Sequence, residues 1–245
     1  MVIEFSKVKF IIFDFDGTLF DGLEAIKRGV KSGIEKYGLK VDFEKAVDEI
    51  AALIQKLMSI PIPKIVLGSY KLLKDLTFLE GMSYFKKLQV GLSIYQEYLK
   101  EVEHMKIFDG IDEMLSILAG KGIKFAILTS GLKASVVDKL KKFSIDQHFP
   151  EDLVIGAGDV TPGHVKPDPE GIEIIVKRAG VEALVEQHGI IMVGDMHTDI
   201  EAGKRAFEGQ GVKTVGIISG YDSKLAGSGA DLVLETTTQL LNQFR

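Results

Sequence analysis

The 245-residue chain has no cysteine and no tryptophan. Without cysteine there can be no disulfide framework, no thiolate metal site and no cysteine nucleophile. No apolar run approaches the roughly 20 residues that a membrane-spanning helix needs. The first residues run into a charged, strand-like segment and show no signal-peptide pattern. A basic surplus is also missing: 30 Lys and Arg against 35 Asp and Glu leave a net charge of -5. Nucleic-acid partners need a basic surface, so that class is disfavoured. These absences predict a soluble, cytoplasmic protein. An apolar content of 46% supports a substantial core, as one large domain or a domain with an insertion.

The most informative stretch is Phe10-Ile11-Ile12-Phe13-Asp14-Phe15-Asp16-Gly17-Thr18-Leu19. A continuous apolar run closed by a turn signal reads as a strand buried on both faces, as in a parallel sheet. Such sheets place ligands at the carboxyl ends of their strands. Asp14 and Asp16 stand there, at i and i+2, where a regular strand points both the same way. Two close carboxylates repel unless a cation lies between them. Hard oxygen ligands in a cysteine-free chain suit a magnesium-type ion. Gly17 permits a tight turn and predicts backbone N–H groups available to an anion.

Further along, apolar residues recur at helical spacing from Leu23 to Tyr37, with Gly38 as a stop, and again from Phe43 to Met58. Pro61 and Pro63 break the chain. Residues 64–78 read as helical, and Phe85, Leu88, Leu92, Tyr95 and Leu99 mark another helix. The stripes predict an all-helical module whose aromatic residues are core. From Ile111 helices alternate with strand-like runs at 123–128, 153–156, 190–193, 215–218 and 232–234. A helix is expected from Ile200 to Phe207. Alternation of this kind predicts βαβ units and a parallel sheet. The expected fold is a doubly wound, Rossmann-like α/β core over residues 1–19 and 106–245, with a helical insertion at 20–105 covering the site.

Polar groups follow several of these strands: Asp14 and Asp16, Thr129 and Ser130, Lys166, and Asp195 with Asp199. In one parallel sheet they share an edge. The acids can hold a divalent cation and one carboxylate can attack phosphorus. Thr129 or Ser130 can bond a phosphoryl oxygen, and Lys166 can neutralise nucleophile and phosphate. That is a phosphoryl-transfer chemistry of positioning and charge neutralisation. Asp199 also reads as an N-cap of the following helix, alone or beside a metal role. His164 and His197 read as polar loop residues, since histidine ligands come in clusters. The glycine-rich stretch 156–163 lacks the Gly-Lys-Ser/Thr ending of a P-loop.

In order and spacing these runs resemble the haloacid dehalogenase (HAD) superfamily. The matching motifs are Asp14-Phe15-Asp16-Gly17-Thr18-Leu19, Ile127-Leu128-Thr129-Ser130-Gly131, Lys166-Pro167-Asp168-Pro169-Glu170 and Gly194-Asp195-x-x-x-Asp199. The resemblance implies Asp14 as nucleophile, Asp16 as general acid and base, and Lys166 as their charged partner. It implies phosphate binding by Asp14, Gly17, Thr129, Ser130 and Lys166. It also implies Mg²⁺ held by Asp14, Asp16 (through its carbonyl), Asp195 and Asp199. An aspartate at position 16 disfavours the dehalogenase and ATPase branches. The inserted helices resemble the small cap of phosphoglycolate phosphatases and β-phosphoglucomutase. The implied activity is hydrolysis of small phosphomonoesters through an aspartyl-phosphate; a phosphomutase is the first alternative and a non-catalytic phosphate-binding member of the fold the second. Lys64, Ser69, Tyr70 and Lys71 are candidate leaving-group contacts, weighed against a solvated helix face. The expected partner is a small phosphorylated metabolite, and the expected state is monomer or homodimer.

Overall fold

The run Phe10–Phe13 contains no polar residue and forms β1 with all its side chains buried. Burial on both faces requires a covering layer on each side, which a doubly wound fold supplies. A computed structural model of the protein describes residues 3–58, 73, 76–218, 222 and 225–244. The chain divides into two compact units, Met1–Phe20 with Ile107–Arg245, and Asp21–Lys106. The second unit holds α1 (Leu23–Tyr37), α2 (Phe43–Met58) and α3 (Tyr84–His104). The first unit resumes with α4 (Ile111–Gly120), β2 (Lys124–Leu128), α5 (Lys133–Lys142) and β3 (Val154–Ile155). It continues through α6 (Glu170–Ala179), α7 (Ala183–Glu186), β4 (Ile190–Gly194) and α8 (His197–Arg205). Strands β5 (Val212–Ile217) and β6 (Leu232–Leu234) complete the sheet.

All strand pairs are parallel, in the order β3-β2-β1-β4-β5-β6. The order reverses direction between β1 and β4, the point at which open α/β sheets leave a crevice. Phe13 is level with Ile127 on β2 and Val193 on β4. Asp14, Thr129 and Asp195 therefore leave the sheet at one edge. On one face Phe10 and Ile12 join Ile172, Ile175 and Val176 of α6. On the other, the Phe13 ring lies 5.9 Å from Phe125 and 6.4 Å from Phe149 between centroids. Burying each such side chain contributes about 1.5–3 kcal/mol. The site loops thus stand on a rigid platform.

The helical unit corrects one expectation. The stripe Phe85, Leu92, Tyr95 and Leu99 is exposed, with Phe85 at 75%, while Val90, Ile94 and Tyr98 on the same helix are buried. The reason lies on α1. Gly29 and Gly33, one turn apart, open a notch that admits α3. A Cβ on Gly29 would lie 2.9 Å from the Ile94 carbonyl oxygen, and one on Gly33 would overlap the Ile94 side chain. Backbones approach where glycine removes the side chain, so the notch, not the longer apolar stripe, selects the buried face. Residues 64–72, including Lys64, Ser69, Tyr70 and Lys71, lie outside the described residues. Thr77–Leu79 is a short 3-10 turn where helix was expected.

Helix α8 also differs. It begins at His197, three residues earlier than expected, and ends at Arg205. Phe207 and Glu208 turn to left-handed φ values of 52° and 58°, which stops the helix. No described helix is long and apolar enough to cross a membrane. Replacing Gly33 by alanine is expected to destabilise the helical unit by about 1–3 kcal/mol through overpacking. Denaturant unfolding of Gly33→Ala measures this, and an unchanged midpoint would mean that the notch does not set the α1–α3 contact.

Candidate active site

Strand β1 ends where the apolar run meets Asp14, whose amide still donates to the Val193 carbonyl oxygen at 2.8 Å. The sheet ladder therefore holds this carboxylate's backbone. Its side chain is buried and meets Lys166 Nζ at 2.5 Å. The same ammonium lies 2.6 Å from Asp199 Oδ1 and donates to the Leu128 carbonyl oxygen at 3.1 Å. The ends of β1 and β2 and the first turn of the helix that carries Asp199 thus converge on one buried cation.

Asp199 reaches the site through α8. It is the third residue of the helix, and its Oδ2 accepts the Met196 N–H at 2.9 Å. It closes the first turn from inside, and so is not the N-cap residue itself. The helix dipole favours a carboxylate there. Gly194 makes the placement possible, because a Cβ at that position would overlap the Asp199 carboxylate. Asp195, at the end of β4, is buried, and its Oδ1 accepts the Thr18 hydroxyl at 3.4 Å. Thr18 is fixed in turn by the Thr237 hydroxyl, which donates to its carbonyl oxygen at 2.6 Å.

Thr129 follows β2 with its side chain buried. Its amide donates to the Ile155 carbonyl oxygen at 2.9 Å, and its hydroxyl accepts the Gly131 N–H at 2.9 Å. Ser130 follows, half-buried. Lys166 comes from the loop before α6, and a local network braces that loop. His164 Nδ1 lies 3.3 Å from Asp168 and 3.4 Å from Glu170. Glu170 accepts the Thr161 hydroxyl at 2.8 Å, and Asp168 accepts the Glu170 N–H at 3.0 Å. His164 is thus a loop staple beside the site.

Two expectations need correction. Gly17 adopts φ 89°, as a tight turn requires, but its N–H donates to the Phe20 carbonyl oxygen at 2.8 Å. That amide closes the loop and is not presented to an anion. The Asp16 carboxylate is not one of the three that group together, Asp14, Asp195 and Asp199, and pairs instead with Lys139 Nζ at 3.6 Å. Sequence reading missed Lys139 altogether, since a lysine on an amphipathic helix looks like a solvated face. It also missed Asp222, whose carboxylate accepts both the His197 amide, at 2.7 Å, and Nδ1, at 2.5 Å. A single aspartate in a loop carries no local signal of such a partner.

The electrostatics follow from burial. Desolvation raises the Asp14 carboxyl, and the neighbouring Asp199 and Asp16 charges add to that, while Lys166 opposes it; the net result is about 7. Burial also disfavours the Lys166 charge, but Asp14 and Asp199 outweigh it and raise its pKa. Lys166 therefore stays an ammonium. Carboxylate oxygens of Asp14, Asp195 and Asp199 all lie within 4.8 Å of one another. Asp199 Oδ1 is buried and has no hydrogen-bond donor aligned on it, although Lys166 faces it as an ion pair. Closely grouped hard oxygens fit a small divalent cation.

Known proteins share this architecture. A family model described as haloacid dehalogenase-like hydrolase matches residues 11–217. A phosphoglycolate phosphatase of Aquifex aeolicus is 29% identical over 236 residues, covering 96% of this chain and 95% of that protein. A pyrophosphatase PpaX of Listeria welshimeri is 28% identical, covering 82% of this chain and 81% of that one. The crystal structure of a predicted phosphoglycolate phosphatase from Haemophilus somnus superposes with a TM-score of 0.68 at 19% identity, over 98% of this chain and 99% of that one. The last shows a shared fold. The family model spans most of the chain, and the chain belongs to the haloacid dehalogenase-like hydrolases.

Proposed function

We propose that the protein is a Mg²⁺-dependent phosphatase of small phosphomonoesters that works through an aspartyl-phosphate on Asp14. The observation that carries this reading is the buried Lys166 ammonium, 2.5 Å from Asp14 and 2.6 Å from Asp199. A lysine held between two buried acids at the β1/β4 crevice neutralises charge where a phosphoryl group would add more of it. The relatives named phosphoglycolate phosphatase, which span nearly the whole chain, support a phosphoglycolate-like substrate. The helical unit 21–106 is assigned the role of a cap that selects the leaving group.

A bound Mg²⁺ would neutralise phosphoryl charge beside Asp14, with Asp14, Asp195, Asp199 and the Asp16 carbonyl holding it. The remaining steps belong to the chain. Thr129 and the Ser130 amide hold phosphoryl oxygens while Lys166 offsets their charge. An Asp14 carboxylate oxygen bonds phosphorus as the ester P–O bond breaks. The Asp16 carboxyl gives its proton to the departing oxygen. In the second step water bonds phosphorus, its proton passes to Asp16, and the P–O bond to Asp14 breaks. One hard displacement becomes two easier ones.

Phosphate release from phosphoglycolate and a panel of sugar phosphates tests the proposal. Release is expected with Mg²⁺ and not with EDTA, and Asp14→Asn is expected to lower turnover by about 10³-fold or more. An Asp14→Asn protein with undiminished turnover would sink the reading. The Asp14 carboxyl, raised to about 7 by burial, also makes cation binding pH-dependent. Below that value the cation must displace a proton, so Mg²⁺ affinity is expected to fall up to about tenfold per pH unit as pH drops from 7 toward 5. The sign for stability is the reverse. The folded carboxyl holds its proton more tightly than the unfolded one at 3.8, so metal-free protein loses this contribution as pH rises from about 4 to about 7. Calorimetric Mg²⁺ titration and thermal melts at pH 6 and pH 8 check both.

A further inference from the structure

The Asp16 side chain has a neighbour that none of the four motifs contains. Lys139 Nζ lies 3.6 Å from Asp16 Oδ1, with the lysine side chain 17% exposed. The ammonium also stands 4.1 Å above the centre of the Phe20 ring and 5.4 Å from that of Phe15. Those two rings are stacked 5.5 Å apart at 10° and are fully buried. They flank Asp16 in the loop, which is itself closed by Gly17 and Phe20 amides donating to Phe20 and Phe15 carbonyl oxygens at 2.8 and 3.0 Å. On the helix side, Val136 and Leu140 are buried and anchor α5. Lys139 lies on the same helix, next to Leu140 in the chain.

These contacts amount to a built arrangement. A lysine free in solvent samples many rotamers. Here ring faces attract the ammonium on one side, and a carboxylate oxygen meets it on another. The Asp16 backbone is fixed by the loop, so the side-chain contact is what remains to set the carboxyl orientation.

We propose that Lys139 is a positioning residue for Asp16: seated on the Phe15–Phe20 stack, it holds Oδ1 so that Oδ2 carries the proton to the leaving oxygen and later takes one from water. The proposal rests on the phosphatase reading above. In the first displacement Asp14 bonds phosphorus, the ester P–O bond breaks, and the Asp16 proton moves to the departing alkoxide oxygen. An alkyl ester needs that proton, because an alkoxide is a poor leaving group. A nitrophenyl ester does not, because the phenolate leaves unprotonated. Loss of Lys139 therefore separates the two substrates.

The experiment compares kcat/KM for phosphoglycolate and p-nitrophenyl phosphate in wild type, Lys139→Met and Lys139→Arg. This ratio reports the steps up to loss of the leaving group. Methionine keeps the apolar length over the rings and removes the charge, and melting temperatures confirm folding. Lys139→Met is expected to lose about tenfold or more on phosphoglycolate and less than about threefold on the nitrophenyl ester, part of the general-acid contribution. Lys139→Arg, which keeps a cation over the rings, is expected to stay within about threefold of wild type on both. Equal losses on the two esters, no loss on either, or an arginine variant as impaired as methionine would overturn the role of Lys139. A wild type that hydrolyses neither ester would instead overturn the phosphatase reading, and this assignment with it.

Discussion

Three carboxylates buried within a few ångströms of each other would repel and push the loops apart if nothing neutralised them. Lys166 bears on that constraint directly. Its ammonium bridges Asp14 and Asp199 and ties the end of β1 to the first turn of α8. Removing one partner of a buried pair leaves an uncompensated charge, which costs about 3–5 kcal/mol. The architecture of the site follows from this need. Gly194 clears space for the Asp199 carboxylate, Thr18 donates to Asp195, and the Thr161–His164–Asp168–Glu170 network braces the loop that delivers Lys166.

The sheet supplies the other half of the organisation. Parallel strands with aligned ends present their following residues at one edge, and the reversal of strand order between β1 and β4 opens a crevice there. Apolar side chains on both faces of β1 make the edge rigid. A cluster of like charges is sustainable only on such a platform, because a loose loop would move the carboxylates apart and out into water. Rigid core and strained electrostatics are two sides of one arrangement.

The helical unit obeys different physics. Its helices meet through a glycine notch that lets Ile94 and Tyr98 approach the α1 backbone. The longer apolar stripe of α3 stays in solvent. Hydrophobic spacing identified the helix correctly but not its inner face, since two overlapping stripes were available and close packing chose between them. The same limit applies to α8. Its start depends on the Asp199–Met196 hydrogen bond, whereas the apolar pattern begins only at Ile200.

Much of the molecule was legible in the chain itself. The apolar run before Asp14, the ordered motifs ending in Thr129, Lys166 and Asp195, and the alternation of strands with helices determine a parallel α/β core with acids at its carboxyl edge. These are local signals, because a buried strand writes its burial into consecutive residues. What only the tertiary structure decided are the pairings between distant segments. They include Lys166 between Asp14 and Asp199, Gly17 turned inward to Phe20, His197 on Asp222, and Lys139 seated on two phenylalanine rings beside Asp16. Partners separated by many residues leave no periodic trace in the chain. A charged side chain reads the same whether it faces water or a buried acid, and only the packed fold brings the two within reach.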